Sequence, residues 1–355
     1  DAWIRGFRSD AIIASMLISM YCKYGDVTEA ETVFAALLEA DVVTWNAMLS
    51  GYVKLGQEHK AFRLYTKMQD NGICSDELTF ITCFQACGSH AVKEESSKLM
   101  SLEIGLAIHA DAWRKGIASR AHVSNTLISM YGKCHSLEDS IIVFNRLNHK
   151  TVISWNAALT ACRQNMAETM ALALFHQMKN EHVEPDKITY ICALDACASI
   201  AALSEGEELY NSITDKGWEI DIIVGNALIN MYGKCGSIDK AMAMLRNMSS
   251  RDVVSWSSLI AICSQNGQAD TALSLFQQMK LDGVEPNHIS FTGVLTACSQ
   301  VGLIDQGRQY FASISKDYDM VPTVEHYVCM INLLSRAGHL DEAEDLIGKM
   351  PHKKA

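Results

Sequence analysis

His182 and Glu184 stand in the H-x-E spacing of a zinc-dependent nucleoside deaminase, where the histidine holds the metal and the glutamate shuttles protons. That chemistry also needs two cysteines in a C-x-x-C pair, and none of the 12 cysteines stands in one. The equivalent stretch DGVEP at 282–286 has no histidine, so the pair is a coincidence of sequence. Cys87, Cys162, Cys197, Cys263 and Cys298 recur at one helical position where other segments carry Tyr21, Tyr52, Tyr131, Tyr232 or Leu334. Packed helices lie about 8–10 Å apart, too far for neighbouring thiolates to share a zinc with Zn–S bonds of about 2.3 Å. These cysteines read as core fillers. Neither a glycine-rich phosphate loop nor a Ser/His/Asp grouping is present, so the sequence calls for no catalytic residue, no metal and no cofactor.

Composition describes the scaffold. The chain has 355 residues, 49% hydrophobic and 8% aromatic, with four prolines. That balance argues against a Pro-rich disordered chain and against a β-sandwich, and favours continuous helical packing. No run reaches the roughly 18–20 apolar residues a membrane span needs, so no membrane partner is expected. The cysteines are dispersed through apolar segments, which suits reduced thiols in a core. The net charge of −11 and pI of about 5.5 sit awkwardly with nucleic-acid binding, which usually shows as a basic domain.

A fixed internal period overrides any guess of domain number from length. HVSNTLISMYGKC at 122–134 returns as IVGNALINMYGKC at 223–235, and TVISWNAALTAC at 151–162 returns as DVVSWSSLIAIC at 252–263, both displaced by 101 residues. An earlier copy, IIASMLISMYCKY, begins at Ile12. The register divides the chain into 11–41, 42–76, 77–120, 121–151, 152–186, 187–221, 222–252, 253–287, 288–323 and 324–355, after a partial unit at 1–10. Position 15 often carries glycine (Gly25, Gly56, Gly236, Gly267, Gly302, Gly338), which suits the left-handed end of a first helix. Position 20 is small almost throughout: Ala30, Ala61, Gly105, Ser140, Ala171, Gly206, Ala241, Ala272, Gly307 and Ala343. A bulky group four residues later, such as Phe144, Phe175 or Phe276, shares that helix face and makes it a packing seam. Each unit is thus an αα-hairpin that cannot bury its apolar face alone. The fold class expected is all-α, a right-handed α-solenoid of stacked hairpins. Unit 77–120 carries nine extra residues, KEESSKLMS at 93–101, whose polarity suggests a surface loop between its helices. Trp45, Trp155 and Trp256 at position 4 read as core anchors. Residues 1–10 match the second half of a unit, and the end at Ala355 brings no polar capping helix, so the sequence reads as a fragment of a longer protein.

The alternating periods, with VVTWNAMLSGYVKLG (42–56), LISMYGKC (127–134) and VEPDKITY (183–190), resemble the plant pentatricopeptide repeat proteins of the PLS subgroup. Tetratricopeptide arrays keep a uniform 34-residue period and a W-x2-L-G-x2-Y pattern, which this sequence lacks. The segment TVEHYVCMINLLSRAGHLDEAEDLIGKMP at 323–351 resembles the last short repeat before the C-terminal extension and DYW deaminase region of organellar RNA editing factors. The resemblance implies that this region and the N-terminus lie outside the sequence, which is expected to be a fragment.

The resemblance implies single-stranded RNA as partner, with one nucleotide per repeat read by position 5 and the final residue. Those pairs are Ser15/Asp41, Asn46/Asp76, Asn125/Thr151, Asn156/Asp186, Asn226/Asp252 and Ser257/Asn287. By the family's code they read G, U, a pyrimidine, U, U and A, a preference near 5′-G-U-N-Y-U-N-U-A-3′. Position 2 is implied to sandwich the bases, through Ile12, Val43, Ile153, Ile223 and Val254. The long repeats offer Ile81/Arg120, Ile191/Asp221 and Thr292/Thr323, and the last repeat Val328/Ala355; they are expected to space rather than read. His122 in place of an aliphatic clamp, with Arg120 and Thr151 as closing residues, departs from the pattern. Position 13 carries Lys23, Lys54, Lys133, Lys234 and Arg336, a spaced basic row able to meet phosphates or, alternatively, to favour the negative ends of helix dipoles. The acidic residues fall on second helices, where screening over about 8 Å separates them from that row.

The function expected is targeting of organellar transcripts, in mitochondrion or chloroplast, for C-to-U editing, by an array that is not itself an enzyme. A deaminase or other editing cofactor would act in cis or in trans. An organellar RNA stability or splicing factor is the alternative within RNA binding, and a peptide-binding scaffold of tetratricopeptide type the alternative outside it.

Overall fold

The computed structural model describes residues 11–37, 39–93, 96–218 and 221–351; the partial unit at 1–10 and the closing Ala355 lie outside them. The described residues form twenty α-helices and no strand. The chain divides into two compact units, residues 1–189 and 190–355. The first holds the pairs α1/α2 (Ala11–Tyr24, Val27–Ala35), α3/α4 (Val42–Lys54, Glu58–Asp70), α5/α6 (Glu77–Lys93, Ser97–Arg114), α7/α8 (Ala121–Lys133, Leu137–Asn145) and α9/α10 (Val152–Gln164, Glu168–Asn180). The second holds most of α11 (Lys187–Ile200) with α12 (Leu203–Thr214), then α13/α14 (Ile222–Lys234, Ile238–Asn247), α15/α16 (Val253–Gln265, Ala269–Leu281), α17/α18 (His288–Val301, Ile304–Lys316) and α19/α20 (Val324–Arg336, Leu340–Lys349). Within each unit a first helix packs on its own partner and on the next first helix, as α3 does on α1 and α17 on α15.

Small residues set the seam because larger ones would collide. A Cβ at Gly105 would lie 2.7 Å from Met130 Sδ, and one at Gly206 2.5 Å from Met231 Sδ, each methionine belonging to the next first helix. At the same position Ser140 is fully buried and donates to the Ile128 carbonyl at 2.9 Å. Phe144, Phe175 and Phe276 are buried one turn on.

The turn that ends nine of the ten first helices is left-handed. Gly25, Gly56, Gly236, Gly267, Gly302 and Gly338 take φ of 69–86° there, and His135, Met166 and Ala201 take 54–59° at the same position. The last three pay the side-chain cost of that region. Met166→Gly is expected to stabilise the fold by about 0.5–1 kcal/mol, read as a raised melting midpoint. An unchanged or lowered midpoint would contradict this.

Of the extra residues, Lys93 and 97–101 are helical rather than loop. They lengthen both helices of their pair, α5 to 17 and α6 to 18 residues, where 13 is the commonest length elsewhere. Their polar groups have buried partners: Ser97 Oγ donates to the His90 carbonyl at 2.6 Å, and Ser101 Oγ lies 2.7 Å from His90 Nδ1. Lys93 Nζ reaches the buried Glu58 carboxylate at 2.5 Å. Polarity, which suggested solvent, here satisfies a buried histidine and a buried acid.

Candidate nucleic-acid interface

Each first helix after α1 starts on the closing residue of the repeat before it. Asp41, Thr151, Asp252 and Asn287 cap α3, α9, α15 and α17 from extended backbone, accepting from the N–H three residues on. Asp76 and Asp186 accept in the same way from Thr79 and Thr189, each at 2.9 Å. Such caps are worth about 1 kcal/mol. The closing residue is therefore a structural group before it is anything else, a role that position-by-position comparison with the family's code does not bring out.

In three slots the cap has a second partner. Asn46 Nδ2 donates to Asp76 Oδ1 at 2.9 Å, Asn156 Nδ2 to both oxygens of Asp186 at 3.0 Å, and Asn226 Nδ2 to Asp252 Oδ1 at 3.2 Å. Burial pushes the carboxyls of Asp76, Asp186 and Asp252 upward, but backbone N–H groups, the asparagine amides and neighbouring hydroxyls outweigh it and hold them below the ordinary aspartate range. They stay ionised and accept only.

The other pairs are not joined by a hydrogen bond. Asn125 Oδ1 is buried with no partner, and its closing residue Thr151 bonds instead with Ser154. Ser15 and Ser257 turn their hydroxyl protons back to the carbonyls of Ile12 (2.8 Å) and Val254 (3.4 Å), which leaves their oxygens as acceptors.

One turn before these polar groups stand Ile12, Val43, Ile153, Ile223 and Val254, 48–71% exposed although apolar. Positions 2 and 5 share a helix face. Position 13 follows position 2 by eleven residues, about three turns, and returns to that face. There Lys23, Lys54 and Lys234 are exposed and Lys133 is half-buried, and none makes an ion pair among the described residues. The exposed Arg336 bonds the Ser299 carbonyl at 3.2 Å. Three acidic side chains of the second helices pair with cations outside this row: Glu31 with Lys60 at 2.8 Å, Glu207 with Lys240, and Glu342 with Arg308 at 2.8 Å. The basic row is not needed to neutralise these three.

The long repeats carry the same apolar feature. Leu78, Ile188 and Ile289 occupy position 2 and are 51–55% exposed. The register alone places them there; position 5 carries the apolar Ile81 and Ile191 in two of these repeats, and in the third Thr292 turns its hydroxyl to the His288 carbonyl at 2.9 Å. The exposed His122 fills the same position in α7.

Nothing else resembles a reactive centre. No group of three or more potential metal ligands occurs among the described residues, and none of their helices is long and apolar enough to cross a membrane. The recurring cysteines are buried, and burial raises the thiols of Cys87, Cys197, Cys263 and Cys298, Cys197 to about 12 and Cys263 and Cys298 to about 11.

The profile of the PPR repeat family matches residues 40–89, 150–199 and 251–300, and the PPR repeat profile matches 12–42, 226–253 and 325–354. A mitochondrial pentatricopeptide repeat-containing protein of Arabidopsis thaliana is 32% identical over 348 residues, 98% of this chain and 49% of that protein. A chloroplastic one from the same plant is 33% identical over 343 residues, 96% of this chain and 41% of that protein. The chain spans about half the length, or less, of the curated relatives it matches. The pentatricopeptide repeat protein PPR10, solved in complex with an 18-nt psaJ RNA element, superposes on 96% of this chain and 50% of its own with a TM-score of 0.75 at 18% identity. That likeness is one of fold: an α-solenoid of helical hairpins.

Proposed function

Because the chain belongs to the pentatricopeptide repeat family, we propose that it binds single-stranded RNA in a sequence-specific way, one nucleotide per repeat. One observation carries this reading: an asparagine amide held by an aspartate, one turn from an exposed aliphatic side chain, recurs at Asn46/Asp76, Asn156/Asp186 and Asn226/Asp252. The aliphatic group offers a surface for a base face, and the amide offers one donor and one acceptor for its edge. Ser15 and Ser257, with their protons turned inward, offer acceptors suited to the N–H groups of purines. The lysine row adds phosphate contacts on the same face. PPR10, which shares the fold, was itself solved with RNA.

The mixed repeat lengths and the closing segment at 323–351 support the narrower assignment, to a PLS-type array that targets organellar transcripts for C-to-U editing, with a deaminase supplied in cis or in trans. Relatives named as mitochondrial and chloroplastic support an organellar setting. The test is selection of bound RNA from a random pool by the chain, with 5′-G-U-N-Y-U-N-U-A-3′ expected. A pool with no uridine enriched at the Asn156/Asp186 slot refutes the assignment of readers.

A further inference from the structure

Uracil and cytosine present opposite patterns to an amide. Uracil offers an N3–H donor beside carbonyl acceptors, whereas cytosine offers an N3 acceptor beside an N4 amino donor. An amide free to turn over satisfies either. One hydrogen bond anchors only one end of it and leaves the plane free to swing. Two bonds, at opposite ends, fix both the plane and the order of donor and acceptor.

The asparagines of the three Asn–Asp slots are anchored at both ends. The second anchor comes from position 3 of the following first helix. Thr79 Oγ1 lies 2.7 Å from Asn46 Oδ1, Thr189 Oγ1 2.6 Å from Asn156 Oδ1, and Ser255 Oγ 2.6 Å from Asn226 Oδ1. All three hydroxyl residues are fully buried. Each also stands 2.8–2.9 Å from the Oδ1 of the closing aspartate, and at 3.2–3.3 Å it accepts from that aspartate's backbone N–H. The carboxylate accepts only, so it faces Nδ2, and the one hydroxyl proton lies between the aspartate Oδ1 and the asparagine Oδ1. The Asn125 slot is an internal contrast. Position 3 carries Ser154 there, but its hydroxyl bonds Thr151, and Asn125 Oδ1 has no partner.

We propose that Thr79, Thr189 and Ser255 are positioning residues that lock the orientation of the reading amide and thereby separate uracil from cytosine. The proposal rests on the reading that these slots hold RNA bases. It adds a third determinant to each slot, one that lies 29–33 residues from the asparagine it controls.

The test is Thr189→Val in the full chain, with Thr189→Ser as the conservative control. Valine is tolerated by the fold at this position, since Val123 and Val224 occupy it, fully buried, in other repeats. Affinities are measured for two RNA oligonucleotides that differ only by U or C at the Asn156/Asp186 slot. The wild type is expected to favour U, Thr189→Val to lower the U-over-C ratio roughly three- to tenfold, the worth of one hydrogen bond, and Thr189→Ser to keep it. A ratio unchanged in a folded Thr189→Val protein overturns the proposal while leaving the slot reading intact. A wild type that binds RNA with no preference at this slot overturns the slot reading, and the proposal with it. A readout without RNA guards against misfolding: in protein labelled with 15N at asparagine, Ser255→Ala is expected to speed hydrogen exchange of the Asn226 side-chain amide, and unchanged exchange also overturns the proposal.

Discussion

Glutamine at Lys23, Lys54, Lys133, Lys234 and Arg336 together is expected to remove most of the salt dependence of RNA binding. Each phosphate neutralised on a single strand contributes about 0.7 to the slope of log K against log salt, so five contacts give a slope near −3.5. Between 50 and 200 mM salt such a protein loses roughly a hundredfold in affinity, and the five-site variant loses little. The structure makes the comparison clean, because among the described residues the four lysines make no ion pair whose loss would confuse the result. Glutamine keeps the side-chain stem, which matters at Lys133, whose Cδ packs close to Gly88. The competing account is that these cations serve helix dipoles at the ends of α1, α3, α7, α13 and α19. That account predicts a loss of about 0.3–1 kcal/mol of stability for each and an unchanged salt slope. Fluorescence anisotropy titrations at four salt concentrations separate the two. A slope equal to the wild type's would remove the phosphate role, and wild-type binding indifferent to salt would point to a peptide partner instead.

The hairpin pattern was legible because its signals are local. Glycine at position 15 and a small residue at position 20 mark a turn and a seam whatever lies around them. The signal weakened where a residue does the same work at a cost: His135, Met166 and Ala201 hold the left-handed turn without being glycine, and nothing in their type announces it. It failed where partners are distant in sequence. The polar run at 93–101 reads as solvent-seeking, and only the fold brings Ser101 to His90 and Lys93 to Glu58. The candidate site divides in the same way. Asparagines and exposed aliphatic residues follow from the register, which also holds Leu78, Ile188 and Ile289. The double duty of Asp76, Asp186 and Asp252, as helix caps and as anchors for an amide in the preceding repeat, does not follow from it. Neither does the hydroxyl at position 3, which taken alone is an ordinary capping-box residue.

Trp155→Ala is expected to cost about 3–5 kcal/mol, among the largest effects of any single change in the chain. The indole is fully buried, edge-on to Phe144 at 4.7 Å between ring centroids, with Lys150 Nζ 5.8 Å from its own ring centre. It sits directly before Asn156, so a loss of RNA binding on its removal could be mistaken for loss of a stacking platform. Burial decides against that role, since stacking needs an open ring face and the Trp155 indole has none. The damage should be local, because in a stacked array each repeat leans only on its neighbours. Thermal unfolding followed by circular dichroism should therefore show the stretch around α7–α10 melting early in Trp155→Ala, with Trp155→Phe recovering most of the loss by refilling the space against Phe144. An alanine variant that melted like the wild type and lost only RNA affinity would reverse the assignment, making Trp155 part of the binding face and the buried packing of Phe144 dispensable.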